Sequence, residues 1–372
     1  MPSSTSALQE IPCFNNKAKG MDPSLDVQVQ SKFHVLKTIG RGAYGQVHLV
    51  IKKHRNQKIS SKKMALKRNY DCFQNTTDSQ RCYREVKYLQ LLQGHENIIK
   101  LEEVFPSLNR QDLYMLFEYI PADLNAVLRN NTKMTKLHHQ FIIYQILKGI
   151  KYIHSAGLIH RDIKPSNVLV DQDCKVKLCD FGLTRHIEEI EGRHLTDYVC
   201  TRFYRPPEVL LVSSKYDYGI DIWGVACILG EMICKRPLFP GTSSIDQLEK
   251  IFQLSTSEDL TSQFQHLELN EIGIYMLRHV KRSRKKTIAE MLYGTRAERK
   301  VRMGNLDVIE FLEELLQFDT NKRYSATEAL SHRFLSEFHD PKQEKVFEGI
   351  VSGLDDNRKY AVDEYLRAVS LV

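Results

Sequence analysis

Asp162 and Asn167 stand in His160-Arg161-Asp162-Ile163-Lys164-Pro165-Ser166-Asn167, and Asp180 follows in Asp180-Phe181-Gly182. Carboxylate and amide oxygens are the ligands a hard divalent cation prefers. Upstream, Gly40-x-Gly42-x-x-Gly45-x-Val47 lets backbone amides approach phosphate oxygens with no Cβ in the way. Met64-Ala65-Leu66-Lys67 ends an apolar strand in a lysine that can hold phosphates, and Glu85 on the next helix can hold the ammonium. Such a set suits phosphoryl transfer, which needs positioning and charge neutralisation more than covalent help from the protein. Asp162 would accept a hydroxyl proton, Lys164 would sit near the transferring phosphate, and Asn167 with Asp180 would hold Mg²⁺. Each motif alone is weak: dinucleotide-binding folds share the glycine spacing, and a lone Asp-Phe-Gly can be a turn. Here, however, Val47, Leu49 and Ile51 continue as an alternating strand, whereas a dinucleotide loop opens a helix.

The elements that must position these residues change character along the chain. From Phe33 to Glu118 the sequence is strand-like, interrupted by one helix near 79–92 with Cys82, Val86 and Leu89 on one face. After Asp123 helices dominate, at about 139–154, 219–233, 306–317 and 325–335. Gly157 stands where a C-cap belongs, and Ser325 with Glu328 reads as a capping box. The pattern is an α+β fold of two lobes, a small β-rich one with a single helix and a larger helical one. Its 372 residues, 42% hydrophobic and 27% charged, suit a globular chain. Lys+Arg exceed Asp+Glu by 53 to 46, a mild surplus that fits an anionic ligand without requiring nucleic acid. None of the eight cysteines forms a C-x-x-C pair, which argues against a zinc ribbon or thioredoxin-type site. The first residues lack a basic start followed by an apolar run, and no stretch is long and apolar enough to span a bilayer. A soluble, intracellular protein is expected, cytoplasmic and nuclear.

With these motifs in order, the chain resembles the eukaryotic protein kinases of the group holding cyclin-dependent and MAP kinases, most closely a MAP kinase. Pro206-Pro207-Glu208, Asp221-Ile222-Trp223-Gly224 and Arg323 resemble further family motifs, Glu208 with Arg323 as a structural ion pair. The resemblance implies ATP bound by Ile39, the three loop glycines, Lys67 and Glu85. Val47, Ala65 and Leu169 would sandwich the adenine. Phe117 would be the gatekeeper, backbone groups of Glu118 and Ile120 would pair with the base, and Asp123 would meet the ribose. It also implies that Thr196-Asp197-Tyr198 is an activation motif phosphorylated at Thr196 and Tyr198. Arg81 or Arg84, Arg161 and Arg185 would receive the phosphothreonine, and Arg202 and Arg205 the phosphotyrosine. Arg205 shapes the pocket after the phosphoacceptor, where proline leaves no N–H unpaired, so Ser-Pro and Thr-Pro protein substrates are implied. The T-x-Y pair, an insert near 256–300 and a C-terminal extension separate this reading from a cyclin-dependent kinase. A non-catalytic scaffold would need one of Lys67, Asp162 or Asn167 to be lost, and all are present.

The implied organisation is a flexible leader at 1–30, a small lobe at 31–121, a large lobe at 122–338 and an extension at 339–372 packing back on the small lobe. Val362, Leu366 and Val369 are in helical register for that contact. Departures are Pro206 for the usual Ala, Phe203 for the usual Trp, and a docking segment whose Asp340 and Glu344 are interleaved with lysines. Expected partners are substrates, an upstream dual-specificity kinase and phosphatases, with no direct nucleic acid and no membrane; the chain should be a monomer. Lys281–Lys286 reads as a solvated loop before a nuclear import signal, and Cys179 as a small buried hydrophobe.

Overall fold

The computed structural model describes residues 25–370 except 43–44, 54–58, 131, 190–201, 215–216, 256–258, 282, 295–296, 298–303, 350 and 355–359. Strands β1 (Phe33–Gly42), β2 (Gly45–Lys53), β3 (Ile59–Asn69), β4 (Leu101–Pro106) and β5 (Leu113–Glu118) form one antiparallel sheet in the order β1-β2-β3-β5-β4. The register sets Val47 opposite both Gly40 and Lys67, and Ala65 opposite Phe117. The segment 97–100, expected to open β4, contributes only a bridge between Ile98 and Leu178.

Helix α1 (Val27–Lys32) precedes the sheet and α2 (Thr76–Leu91) follows β3. Asn75 caps α2, its Oδ1 accepting from the Asp78 N–H (2.9 Å), so the helix begins three residues before the expected start. Leu25, just ahead of α1, and Val29 within it are buried with Phe33, Val50, Met64, Leu66, Phe105, Tyr114 and Leu116 in a small core on the outer sheet face. Phe33 and Phe105 stack within it, their centroids 6.3 Å apart. The leader expected to run to residue 30 therefore ends in a packed segment. An amphipathic turn closes apolar sheet surface that would otherwise face water.

The larger lobe is helical, with α3 (Leu124–Arg129), α4 (Lys136–Ser155), α5 (Pro207–Leu210) and α6 (Gly219–Cys234) nearest the cleft. Helix α4 opens with a capping box between Thr135 and His138, and Gly157 follows its end at φ +74°. Helix α6 is apolar on nearly every side, and almost all of it is buried. Strands β6 (Ala122–Asp123), β8 (Val168–Val170) and β9 (Val176–Leu178) make a small sheet, and β7 (Leu158–Ile159) pairs with β10 (Arg185–His186). The pairing of Val168 with Leu178 brings the segments before β8 and after β9 to one end of that sheet. Behind it Arg323 and Glu208 form a fully buried bidentate pair (2.6 and 3.1 Å), the guanidinium lying over Trp223.

The C-terminal helix Val362–Ser370 packs on α2 and β4, with Tyr365 against Tyr83 at 5.6 Å.

Leu25→Ala tests the packed end of the leader. Removing a buried Leu side chain costs about 2–5 kcal/mol, where a residue of an unattached leader would cost nothing. Urea unfolding of the full chain against the variant reads the difference.

Candidate active site

Asp221, in the first turn of α6, is fully buried, and it fixes the loop that carries Asp162. Its Oδ2 accepts from the His160 N–H (2.9 Å) and its Oδ1 from the Arg161 N–H (2.8 Å), while His154 Nε2 lies 2.9 Å from Oδ2. Burial alone would raise the Asp221 pKa. His154 by hydrogen bond and charge, and the backbone N–H of His160 by hydrogen bond, bring it below the ordinary value. Arg161 is held at φ +67°, a conformation that L-residues rarely adopt. The His160 ring donates from Nε2 to the Cys179 carbonyl (3.1 Å) and accepts at Nδ1 from the Asp162 N–H (3.3 Å), so it is the neutral Nε2–H tautomer that fits. In the sequence Asp221 stands out only as part of the Asp221-Ile222-Trp223-Gly224 motif. The signal for its role was an aspartate at the head of an otherwise apolar helix, where a carboxylate must find donors.

Asp162 accepts from Lys164 Nζ (2.7 Å) and, at the same Oδ2, from Asn167 Nδ2 (2.8 Å). Asn167 Nδ2 also donates to the Asp162 carbonyl (2.9 Å), which spends its amide donor on the loop and leaves its carbonyl oxygen as the remaining polar group. Asp180 adopts the left-handed conformation (φ +66°) at the head of the Phe181–Leu183 turn. Phe181 is fully buried, its ring edge-on to His160 at 4.9 Å, and the turn packs against α2.

In the small lobe Lys67 Nζ lies 2.6 Å from Glu85 Oε1. Burial would lower the Lys67 pKa, but Glu85 and then Asp180 raise it above the ordinary lysine value. Burial favours a protonated Asp180, yet the charges of Lys67, Arg81 and Lys164 hold its pKa below the usual carboxylate value. Asp180 is thus an ionised carboxylate that accepts no hydrogen bond among the described residues. It borders a cavity of about 450 Å³ also lined by Gly40, Gly42, Gly45, Lys67 and Glu85. An ionised oxygen donor, a bare glycine loop and a lysine on one cavity fit a metal–polyphosphate ligand.

The loop glycines are not equivalent. A Cβ on Gly45 would fall 2.2 Å from the Arg68 carbonyl oxygen, so close approach to β3 demands glycine there. A Cβ on Gly42 would meet nothing, which leaves room beside its backbone for a ligand.

The remaining expected residues fall on both sides of the cleft with differing commitments. Val47, Ala65, Leu169 and Ile120 are half-buried, Ile39 is exposed, and the buried Phe117 ends the sheet beside Glu118. The Glu118 side chain pairs with Lys177 (2.9 Å). Asp123, expected at the ribose, spends Oδ1 capping α3 through the Ala126 N–H (2.8 Å), which leaves Oδ2 as its outward group. Burial raises its pKa. Desolvation foremost, then the charge of Asp180, pushes the thiol of Cys179 up as well, although the residue is half-buried rather than fully enclosed.

Of the arginines, Arg81 lies against Gly182, while Arg84 is buried in α2. Arg161 Nη1 donates to the Leu183 carbonyl (3.1 Å), Arg185 Nη1 to the Thr184 carbonyl (2.9 Å) and Arg202 Nη1 to the Thr242 carbonyl (2.8 Å). Arg205 follows the Arg202–Tyr204 turn, its N–H donating to the Arg202 carbonyl (3.2 Å). Thr196 and Tyr198 lie outside the described residues. The docking segment is plainer: Glu344 is buried, paired with Lys151 (3.2 Å) and His339 (2.7 Å), and Asp340 caps its own turn.

Residues 33–335 match the protein kinase domain family. Extracellular signal-regulated kinase 2 of Dictyostelium discoideum is 41% identical over 92% of this chain and 89% of its own length. Mitogen-activated protein kinase 15 of Xenopus laevis is 40% identical over 92% of this chain, which spans only 57% of that relative. Mitogen-activated protein kinase 3 of Arabidopsis thaliana is 38% identical over 83% of this chain and 79% of its own length. The chain therefore belongs to the protein kinase family and, within it, to the mitogen-activated protein kinases, enzymes that phosphorylate serine and threonine on proteins.

Proposed function

We propose that the chain transfers the ATP γ-phosphoryl group, with Mg²⁺ as the divalent metal, to Ser or Thr followed by proline, and that phosphorylation at Thr196 and Tyr198 activates it. The observation that carries the chemical part is the joint geometry of the cleft. Lys67 is closed on Glu85 at 2.6 Å, an ionised Asp180 stands beside it, and Asp162 is oriented by Lys164 and Asn167. ATP supplies the phosphoryl group. Lys67, with the amides of the 40–45 loop, binds its phosphates, and Asp180 and the Asn167 side-chain carbonyl oxygen would hold the metal. Asp162 takes the proton of the acceptor hydroxyl, with Lys164 beside it to offset the charge that develops. The adenine site runs between Ile39, Val47, Ala65 and Leu169, against Phe117 and the backbone of Glu118 and Ile120, with Asp123 Oδ2 toward the ribose.

Asp162→Ala is expected to lower the rate about 10²–10⁴-fold with an unchanged circular dichroism spectrum. A folded variant turning over ATP and peptide at the wild-type rate would sink the assignment. The proline requirement rests on Arg205 and has its own test: a Ser-Pro peptide should exceed its Ser-Ala twin in kcat/KM, and equal values remove it.

Activation follows from charge. Arg161, Arg185, Arg202 and Arg205 are cations at every accessible pH, and with Arg81 or Arg84 they would receive the two phosphates through charge-assisted, often bidentate hydrogen bonds. Upstream kinases regulate MAP kinases by this route, but an acidic docking patch is poorly supported here because Glu344 already answers Lys151 and His339. Self-phosphorylation of Tyr198 is accordingly favoured. Wild type and Lys67→Arg, each expressed in a host without MAP-kinase activators, separate the cases. Phosphotyrosine at position 198 in the wild type alone is expected. Its presence in the Lys67→Arg protein rules out self-phosphorylation, and full activity of Tyr198→Phe rules out the activation scheme.

A further inference from the structure

We infer that the groove leading from Lys164, the partner of Asp162, to the C-terminal end of α6 binds an anionic side chain of the substrate, an Asp, a Glu or a phosphorylated residue flanking the phosphoacceptor. The inference rests on the kinase reading above and adds the chemical class of substrate. The groove encloses about 480 Å³ and is lined by Arg129 at the end of α3, Lys164, Tyr204, Glu231, Lys235 and Arg236, among other residues.

Its charges do not cancel. Lys164 is committed to Asp162. Glu231, the only carboxylate on the wall among the described residues, is buried and accepts the Tyr204 hydroxyl (2.6 Å). Burial raises its pKa, so its negative charge is costly to keep. Lys235 Nζ donates to a neutral acceptor, the Thr132 carbonyl (3.2 Å), and Arg236 Nη2 to the Met291 carbonyl (3.3 Å). Such bonds hold the side chains in place without neutralising them. Desolvation lowers the Lys235 pKa although the residue is exposed. Arg129, at the end of α3, lines the same groove and is exposed.

The backbone points the same way. Lys235 ends α6 in the left-handed conformation (φ 60°, ψ 25°), where helices normally place Gly or Asn. A lysine there gives up helix-end stability and puts an ammonium at the mouth of the groove. Strain of this kind is kept where the surroundings enforce it, commonly at functional sites. A concave wall of one sign focuses the field on an opposite charge, and a guanidinium can grip a carboxylate or phosphate with two parallel bonds.

Steady-state kinetics of the active full-length chain test this on Ser-Pro peptides carrying Gln, Glu or phosphoserine at one flanking position at a time. At one position kcat/KM should rise on the order of 10-fold from Gln to Glu, and the gain should shrink at high salt. A further rise for phosphoserine identifies phosphate as the ligand; Glu matching or exceeding phosphoserine identifies a carboxylate. Lys235→Asn, which suits the left-handed helix end, and Arg129→Gln should each bring the Glu/Gln ratio down toward one. Equal values for Gln, Glu and phosphoserine at every position overturn the groove inference and leave the kinase reading intact. A ratio unchanged in both variants overturns its assignment to this groove. No turnover of any peptide overturns the kinase reading and this inference together.

Discussion

A carboxylate with no exposure to water is costly unless several donors answer it. Asp221 meets that condition with two backbone N–H groups and His154, at the positive end of an apolar helix. The cleft's large-lobe wall depends on that bargain. The two N–H groups come from His160 and Arg161, so satisfying the aspartate sets the backbone just ahead of Asp162 and holds Arg161 at positive φ. His160, fixed at its N–H, reaches the Cys179 carbonyl, and that bond ties the Asp162 loop to the segment carrying Asp180. Asp162 and Asp180, eighteen positions apart in the chain, are thus positioned through one carboxylate in the core of α6 rather than by each other.

The small lobe meets this wall through electrostatics. Glu85 and Asp180 together keep Lys67 charged in spite of burial, and Lys67 in turn keeps Asp180 ionised. Neither carboxylate belongs to the strand that carries the lysine. Glu85 arrives on α2, whose outer face is covered by the C-terminal helix through Tyr83 and Tyr365. The contact that positions Glu85 therefore begins almost three hundred residues later in the chain. A tail that packs on α2 is part of the support for the helix that brings Glu85 to Lys67.

These relations explain what the sequence made legible. Phosphoryl transfer fixes residue types at short spacings, so Asp162, Lys164, Asn167, Asp180, Lys67 and Glu85 could be read before any fold was known. Periodicity likewise gave α4, α6 and the tail helix. Less legible were residues whose function is to satisfy something else. Asp123 caps a helix with the oxygen that a motif reading gives to a ligand. Glu344 looks like a docking charge until Lys151 and His339, far away in sequence, are found against it. The packed end of the leader was hidden by the polar residues of α1, although Leu25, Val29 and Phe33 recur at four-residue spacing and carry the signal. The cap at Asn75 carries little sequence signal because Thr76, Thr77 and Asp78 offer no apolar stripe.

Backbone dihedrals hold the part that composition and pattern could not reach. Among the described non-glycine residues with positive φ, Arg110 and Cys174 close tight turns in which their N–H groups bond three residues back. Arg161, Asp180 and Lys235 are different: Arg161 adjoins Asp162 in the chain, and Asp180 and Lys235 each line a cavity. The left-handed conformation costs a residue with a Cβ about 1–2 kcal/mol, and at none of these positions is the cost avoided with glycine. At Arg161 the compensation is visible in the Asp221 bond, and at Asp180 in the cations around its carboxylate. At Lys235 the described residues offer only a neutral carbonyl. The same kind of strain that is offset inside the protein at the first two positions is left, at the third, facing an open groove.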